Sequence, residues 1–458
     1  MRSLQPETMP MTQRQTGVRG AVRSILTAMI AGGALVACHS GILDVANPQA
    51  FGDAALDNPT ILKTVADGAE GLLHQSFDDY VVATELLGDA IESTSTWIDW
   101  EDISEGRVRA DWPVQIGGNF DSQSGGLRAR YAAQSAAERI TRVLGADANK
   151  SVMLTQVEWV DGFADLLLGV GYCEGPLASG APRSADSLFY KQAVTKLSAA
   201  LQLAQAQNST DWINLIRASR ARANLFAGNY DAALADAQAV PDGYVKQAVY
   251  AEGSGAQQSF TGNQLNQNRN RSAGLRRMYF SRVHVVDTRT AAAGGTGEAY
   301  LRDWLDPTKD DKRMAVTRFP GQLGVNNRFD YYGITKYADR AGNQTLISKR
   351  EMNLIEAEVY FRKGNYASEA AKLNIDRTAF GLPAIPVPSS AAEAQNALLN
   401  ERFAVLFVEG QRMNDLYRYG LVRSVLGAGR ATKLPLTRTE IINNPAMKDG
   451  EGKCPAIS

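Results

Sequence analysis

The residues of this sequence best suited to chemistry are aromatic side chains in two polar stretches rich in loop-forming residues. Six of them share such surroundings: Trp97, Trp100, Trp112, Trp304, Tyr331 and Tyr332. Indole and phenol rings offer a large apolar face at little entropic cost, and the neighbouring polar side chains supply hydrogen bonds. We predict that this set binds a ligand by stacking. For any single ring, the alternative is that it packs its loop onto the core.

Recognised motifs for catalysis or metal binding are missing from the sequence. His39, His74 and His284 are far apart, and none has a cysteine or histidine at ligand spacing, which argues against a structural zinc site. There is no P-loop or Gly-x-Ser-x-Gly elbow, and the glycines near residue 170 break the dinucleotide pattern. We expect no metal and no cofactor. Carboxylates are abundant around residues 78–102, however, so a glycoside hydrolase remains an alternative.

Charge is nearly balanced over the 458 residues, with 48 Lys and Arg against 49 Asp and Glu. No long basic block occurs, which argues against a nucleic-acid partner and against electrostatic attachment to a membrane.

The amino terminus has the pattern of an export signal. Arginines with no acid between them precede an uncharged run at residues 25–37, which is too short to span a bilayer as a helix. The run ends in Leu-Val-Ala-Cys38, which resembles a bacterial lipobox. We therefore predict a signal peptide over residues 1–37 and a lipid anchor on Cys38.

Two further cysteines, Cys173 and Cys454, remain after that assignment. A disulfide between them is possible in an oxidising envelope, but the sequence does not show that they meet. We expect a buried thiol at Cys173.

The elements that position the aromatic residues are mostly helices. Apolar spacing predicts helices over residues 58–87, 128–144, 151–170 and 186–205. The tripeptide Gly-Asn-Tyr occurs twice, at 228–230 and 364–366, each time between an apolar helix and an alanine-rich one. Glycine permits the left-handed turn, and small residues permit close packing, so we predict two helical hairpins like halves of a tetratricopeptide unit.

The aromatic residues of interest fall in two stretches that interrupt this helical pattern, near 89–126 and 251–350. We expect both to be mostly irregular, apart from a strand near 279–286, and to act as functional insertions on the helical frame.

The most specific internal segment, residues 400–420, reads NERFAVLFVEGQRMNDLYRYG. The spacing of its apolar residues predicts one helix with a single apolar face. Glu409 with Arg412 and Asp415 with Arg418 have i,i+3 spacing, which predicts ion pairs along a solvated face.

This segment resembles the carboxy-terminal signature of the SusD/RagB family of outer-membrane nutrient-uptake lipoproteins. The matching residues are Glu401-Arg402, Glu409-Gly410, Arg412, Asp415-Leu416, Arg418 and Gly420. Other stretches agree in order: Leu43-Asp44 with Asn47-Pro48, Glu158-Trp159 through Gly175-Pro176-Leu177, the two Gly-Asn-Tyr hairpins, and Pro435-Leu436 with Glu440 and Asn443-Asn444-Pro445. The sequence is similar to a divergent member of that family.

The resemblance implies a mainly α fold with tetratricopeptide-like hairpins and long loop-rich insertions, forming a single domain over residues 38–458. It also implies a binding protein that is not an enzyme. Such a protein captures an oligosaccharide or peptide and passes it to a SusC-like TonB-dependent transporter. Its lipid anchor lies in the outer membrane, and we expect it in the outer leaflet, at the cell surface. The alternatives are a glycan-degrading hydrolase of the same uptake system and a tetratricopeptide-like envelope scaffold.

We predict that the native protein begins at Cys38, carries acyl chains there and fractionates with membranes, because charge, length and cysteine position together match a lipoprotein signal. Mass spectrometry of the amino-terminal peptide checks this. An uncleaved, unmodified amino end in the cytosolic fraction would contradict it.

Overall fold

The structure, a computed structural model, describes residues 53–108, 126–251, 271–337 and 341–447. Cys38, Trp112 and Cys454 lie outside these ranges. The chain divides after Leu56. Of its first part only residues 53–56 are described, within a short 3-10 helix at Asp53–Asp57.

Helices make up most of the second part of the chain, from Asp57 onward. In chain order they are α1 (Leu62–Leu87), α2 (Ile98–Ser104), α3 (Gly126–Leu144), α4 (Val152–Gly171), α5 (Asp186–Ala206), α6 (Thr210–Ala227), α7 (Tyr230–Gln238), α8 (Lys349–Arg362), α9 (Tyr366–Ala379), α10 (Ala391–Val405), α11 (Arg412–Arg418), α12 (Val422–Leu426) and α13 (Arg438–Asn443). Further 3-10 helices are Pro59–Ile61, Gly145–Lys150, Arg277–Arg282, Ala291–Ala293 and Pro445–Met447. The predicted mainly helical fold is confirmed.

The two Gly-Asn-Tyr hairpins form as predicted. Gly228 ends α6 at φ 82° and Gly364 follows α8 at φ 71°, both in the left-handed region that favours glycine. The hairpins also pack on one another, because α7 lies against α8. There the Arg362 guanidinium lies 5.5 Å from the ring centre of Tyr230. The repeated motif therefore builds one helical frame from two separated segments.

Short antiparallel strands complete the described fold. Three pairs form: β1 (Ile91–Ser93) with β5 (Ala273–Leu275), β2 (Glu174–Pro176) with β3 (Arg183–Ala185), and β4 (Val245–Ala248) with β10 (Gln344–Ser348). A four-stranded sheet has the order β6 (Val283–Val285), β7 (Glu298–Arg302), β8 (Asp310–Thr317) and β9 (Gly333–Ile334).

The strands observed in residues 251–350 differ from the sequence prediction in number and in position. The stretch 251–350 was expected to be mostly irregular, but its described part contains most of the strands. The strand predicted near 279–286 is shorter, because Arg277–Arg282 forms a 3-10 helix and only Val283–Val285 is extended. Alternation of side chains is a weak signal over three residues, which explains both errors.

The segment 400–420 also differs from prediction, because it is not one helix. Helix α10 ends at Val405 and α11 begins at Arg412. Between them Val408 (φ 53°) and Gly410 (φ 74°) adopt left-handed backbone conformations. The Tyr80 hydroxyl donates to the Gly410 carbonyl at 2.6 Å, and the Gly410 N–H donates to Glu85 Oε1 at 2.7 Å. Contacts with α1 thus hold the turn and override helical periodicity.

Charges in this segment are buried, where a solvated face was expected. Asp415 is 2% exposed, and its predicted ion pair with Arg418 is confirmed at 2.7 Å. The predicted pair of Glu409 with Arg412 does not form. Glu409 instead pairs with Lys336 at 2.6 Å, and Arg412 pairs with the buried Asp89 at 2.6 Å. These side chains join the segment to distant elements.

Cys173 was expected to be a buried thiol, but it is disulfide-bonded. Its partner lies outside the described residues.

Gly410 generates a stability prediction, because a Cβ there would lie 2.6 Å from Tyr80 Cε1. Gly420 is a matched control, with a similar φ of 64° but no atom within 4 Å of its added Cβ. We expect Gly420→Ala to lower the free energy of unfolding by about 1 kcal/mol, from backbone strain alone. Gly410→Ala adds overpacking and should lower it by about 3 kcal/mol. Denaturant unfolding measures both, and equal effects would contradict this account of the turn.

Glu369 generates a prediction about pH. Its side chain is fully buried, and neither carboxyl oxygen has a hydrogen-bond partner in the described part of the chain. Burial raises the pKa of Glu369 from 4.5 to about 7. The folded state therefore holds this proton more tightly than the unfolded state does. The stability it contributes is full below pH 4.5 and is lost as pH rises towards 7.

Glu369→Gln should remove this loss, so that its stability relative to the wild type rises by about 3 kcal/mol between pH 4.5 and 7. The exposed Glu138→Gln on α3 is the control and should follow the wild-type profile. Denaturant unfolding across this pH range measures the difference, and parallel wild-type and Glu369→Gln profiles would contradict the prediction.

Candidate functional site

Trp97 presents its ring at the start of the short helix α2. Trp97 is 44% exposed, and its backbone N–H donates to the Ser95 hydroxyl at 3.0 Å. Trp100, one turn further along, is only 3% exposed and meets the Trp97 ring edge-on, with centroids 5.4 Å apart. Trp100 thus lies beneath Trp97 and fixes the tilt of the exposed ring.

A hairpin loop from the second polar stretch docks beside Trp97. The Asn326 N–H donates to the Thr94 carbonyl at 3.0 Å, and a Cβ on Gly324 would lie 2.6 Å from Thr94 Cβ, so glycine permits this close approach. Arg328 Nη1 donates to Glu101 Oε1 at 2.9 Å on the exposed surface. The two stretches, far apart in sequence, therefore form one surface.

Phe329 extends this surface. The Arg277 guanidinium carbon lies 3.8 Å from the centre of its ring, a close cation–π contact. Arg277 Nε in turn donates to the buried carboxylate of Glu92 at 2.9 Å. The buried Glu92 carboxylate therefore fixes the position of Arg277, and Arg277 in turn packs against the Phe329 ring.

The predicted pair Tyr331 and Tyr332 is divided between interior and surface. Tyr331 is 3% exposed and packs against Gly274 and Gly333, and burial raises the pKa of its hydroxyl. Tyr332 is half-buried, with its ring centre 4.6 Å from that of Phe280. The Arg318 guanidinium lies 5.6 Å from the Tyr332 ring.

Trp304 lies apart from Trp97, in a cleft of about 500 Å³ beside the turn between β7 and β8. The lining residues are Ser281, Arg282, Val283, His284, Arg302, Asp303, Trp304 and Pro307. Trp304 Nε1 donates to Glu401 Oε1 at 2.7 Å, which fixes the indole from the side of the helical frame.

The structure thus brings Trp97, Trp100 and the loop that carries Tyr331 and Tyr332 into one region. Trp304 lines a separate cleft, and Trp112 lies outside the described residues. Sequence reasoning missed the arginines, notably Arg277 and Arg328. Their only signal was proximity to aromatic residues in the chain, and they are paired with acids too distant in sequence to suggest contact.

Three of the five carboxylates considered for the hydrolase alternative, Asp78, Asp79, Asp99, Glu101 and Asp102, have side-chain partners that the structure shows. Glu101 accepts from Arg328, Asp102 accepts from Arg107 Nε at 2.7 Å, and Asp78 accepts from Gln344. Within residues 53–447, where described, no group of His, Cys, Asp and Glu side chains forms a metal site. In the same ranges no helix combines the length and the apolar character needed to cross a bilayer.

No family model matches the sequence, and no curated protein matches it. Solved structures do match the fold. A SusD superfamily protein from Bacteroides vulgatus ATCC 8482 aligns with a TM-score of 0.61 at 16% identity, covering 85% of this chain and 98% of that one. A SusD-like protein from Bacteroides fragilis NCTC 9343 has a TM-score of 0.61 at 12% identity, covering 86% and 97%.

A laminarin-binding SusD-like protein aligns with a TM-score of 0.60 at 15% identity, covering 86% of this chain and 99% of that one. The resemblance drawn from the carboxy-terminal signature is therefore confirmed at the level of the fold: this chain has the fold of the SusD-like proteins.

Proposed function

We propose that this protein is an outer-membrane lipoprotein that binds an oligosaccharide without cleaving it and delivers it to a SusC-like TonB-dependent transporter. The observation that carries the proposal is the exposed Trp97 ring, supported edge-on by Trp100 and flanked by charged side chains. A sugar ring has apolar faces and a polar rim, and such a surface complements both.

The surroundings of Trp97 favour capture by a preformed surface. Arg328 with Glu101 and Arg277 with Glu92 are already paired. Paired side chains offer hydrogen bonds to hydroxyl groups in a fixed geometry, which lowers the entropy lost on binding. In this proposal Trp97 and Tyr332 contact the ligand, whereas the buried Trp100 and Tyr331 support them. Trp304 contributes through its own cleft, and Trp112 remains a predicted contact.

Carbohydrate is the favoured ligand class for two reasons. One structural neighbour is named as a laminarin-binding protein, and exposed aromatic rings suit sugars. A peptide ligand would also stack on these rings, so a binding screen must include both classes.

Two features support a location in the cell envelope: the export signal and the disulfide at Cys173. The Leu-Val-Ala-Cys38 motif supports a lipid anchor. The disulfide at Cys173 supports an oxidising compartment, because disulfides rarely persist in the cytosol. Delivery to a transporter is inferred from the resemblance to SusD-like proteins. Co-purification of a barrel-type transporter with the tagged native protein tests this inference.

A hydrolase is the rival that a single assay distinguishes. Incubation of the protein with a polysaccharide panel should release no reducing ends, because Glu101, Asp102 and Asp78 are held by arginine or amide partners. Turnover that disappears in a carboxylate variant such as Glu101→Gln would overturn the proposal.

We predict that Trp97→Ala weakens binding of the best ligand by about tenfold, because it removes a stacking contact worth about 1.4 kcal/mol. Calorimetry on protein lacking residues 1–38, with laminarin, starch, pectin, alginate and a casein digest as probes, measures the loss. Phe380→Ala is the control, since Phe380 is 38% exposed but lies at the end of α9 in the helical frame. Equal affinity of Trp97→Ala and wild type would exclude the Trp97 surface as the site, and binding of peptides alone would favour a scaffold.

A further inference from the structure

We propose that the Trp304 cleft recognises a carboxylate carried by a sugar ring, so that the ligand contains a uronic acid. The inference rests on the proposed function and adds a ligand class to it. The residue that carries it is Arg282, which lines the cleft together with Trp304.

Arg282 is the arginine of the cleft that has no carboxylate partner among the described residues, whereas Arg302 pairs with Asp310. Its Nη2 donates to the Arg302 carbonyl at 2.9 Å, and its guanidinium lies 5.8 Å from the Tyr279 ring. In the part of the chain that the structure describes, no carboxylate lies within the 4.0 Å of an ion pair with Arg282. A guanidinium held by one carbonyl retains donors in the planar arrangement that matches a carboxylate.

The acidic residues near the cleft are already occupied. Asp303 lines the cleft, but its two oxygens accept from Arg377 at 3.0 and 2.8 Å. Asp310 accepts from Arg302 at 3.1 Å and shares a hydrogen bond with His284 Nδ1 at 3.0 Å. Each of these carboxylates already accepts from a basic side chain, whereas Arg282 has no carboxylate partner among the described residues.

The floor of the cleft is rigid, which suits selective recognition. Trp304 donates a hydrogen bond to Glu401, and Glu401 also accepts hydrogen bonds from Arg313 and Arg377, each at 2.6 Å. The side chains of Arg313, Arg377 and Glu401 are fully buried. The indole plane is therefore fixed before binding, and an uronic acid ring stacked on it would keep its carboxylate in one orientation.

At the Trp97 surface three arginines are paired with carboxylates. There Arg328 pairs with Glu101, Arg277 with Glu92 and Arg318 with Asp330. The 3-10 helix Arg277–Arg282 begins at the arginine that contacts the Phe329 ring and ends at the arginine that lines the cleft.

The test compares each acidic oligosaccharide with its own carboxyl-reduced form. Oligogalacturonides, alginate oligosaccharides and hyaluronan oligosaccharides are titrated into wild type by calorimetry, before and after reduction. We expect at least one acidic form to bind tenfold or more tightly than its reduced form, an advantage that Arg282→Gln abolishes. Arg282→Lys keeps the charge and should retain part of the advantage, which shows that loss in Arg282→Gln is not misfolding.

Arg289→Gln is the matched control, since it removes one surface arginine whose partner is the local Asp287. It should bind as wild type does. Wild type that binds every acidic and reduced pair equally would overturn the uronic acid proposal. If Trp97→Ala still weakened binding in that case, the proposed function would survive. If no saccharide bound at all, both would fail.

Discussion

The carboxylate of Glu401 is the point on which the arrangement of the described fold depends most. From helix α10 it accepts hydrogen bonds from Trp304 in the cleft, from Arg313 on strand β8 and from Arg377 on helix α9. These partners belong to the helical frame and to the four-stranded sheet, so one buried side chain joins both. Removing one partner of a buried ion pair typically costs about 3–5 kcal/mol, because the remaining charge is left uncompensated. The carboxy-terminal signature is thus a structural junction.

The same logic extends through the rest of that segment. Arg412 reaches the buried Asp89, and Arg418 pairs with the buried Glu358, whose pKa is held well below its usual value mainly by that arginine against the effect of burial. The turn at Gly410 allows these arginines to point to different elements. A continuous helix would have placed them on one face, as the spacing alone predicted.

The sequence predicted the helical frame well, because local information determines it. Helices of about twenty residues show several turns of apolar spacing, and Gly228 and Gly364 mark their ends by conformation. The sheet was predicted poorly, since its strands are short and their partners lie far away in the chain. The disulfide at Cys173 and the burial of Asp415 likewise depend on distant contacts that a single sequence does not display.

The candidate site was predictable in part for the same reason. Aromatic residues in polar loops can be identified directly, but their division into the exposed Trp97 and the supporting Trp100 depends on packing. The pairing of Arg328 with Glu101 emerges only when the two polar stretches meet, and the carbonyl contact of Arg282 emerges only when the second stretch folds.

The central claim is that the surface around Trp97 binds a saccharide without cleaving it. A crystal structure of the protein soaked with its best-binding oligosaccharide tests that claim most directly. The account predicts a sugar ring stacked on Trp97 with every glycosidic bond intact. A ligand bound away from both Trp97 and Trp304, or electron density for cleaved product, would contradict it.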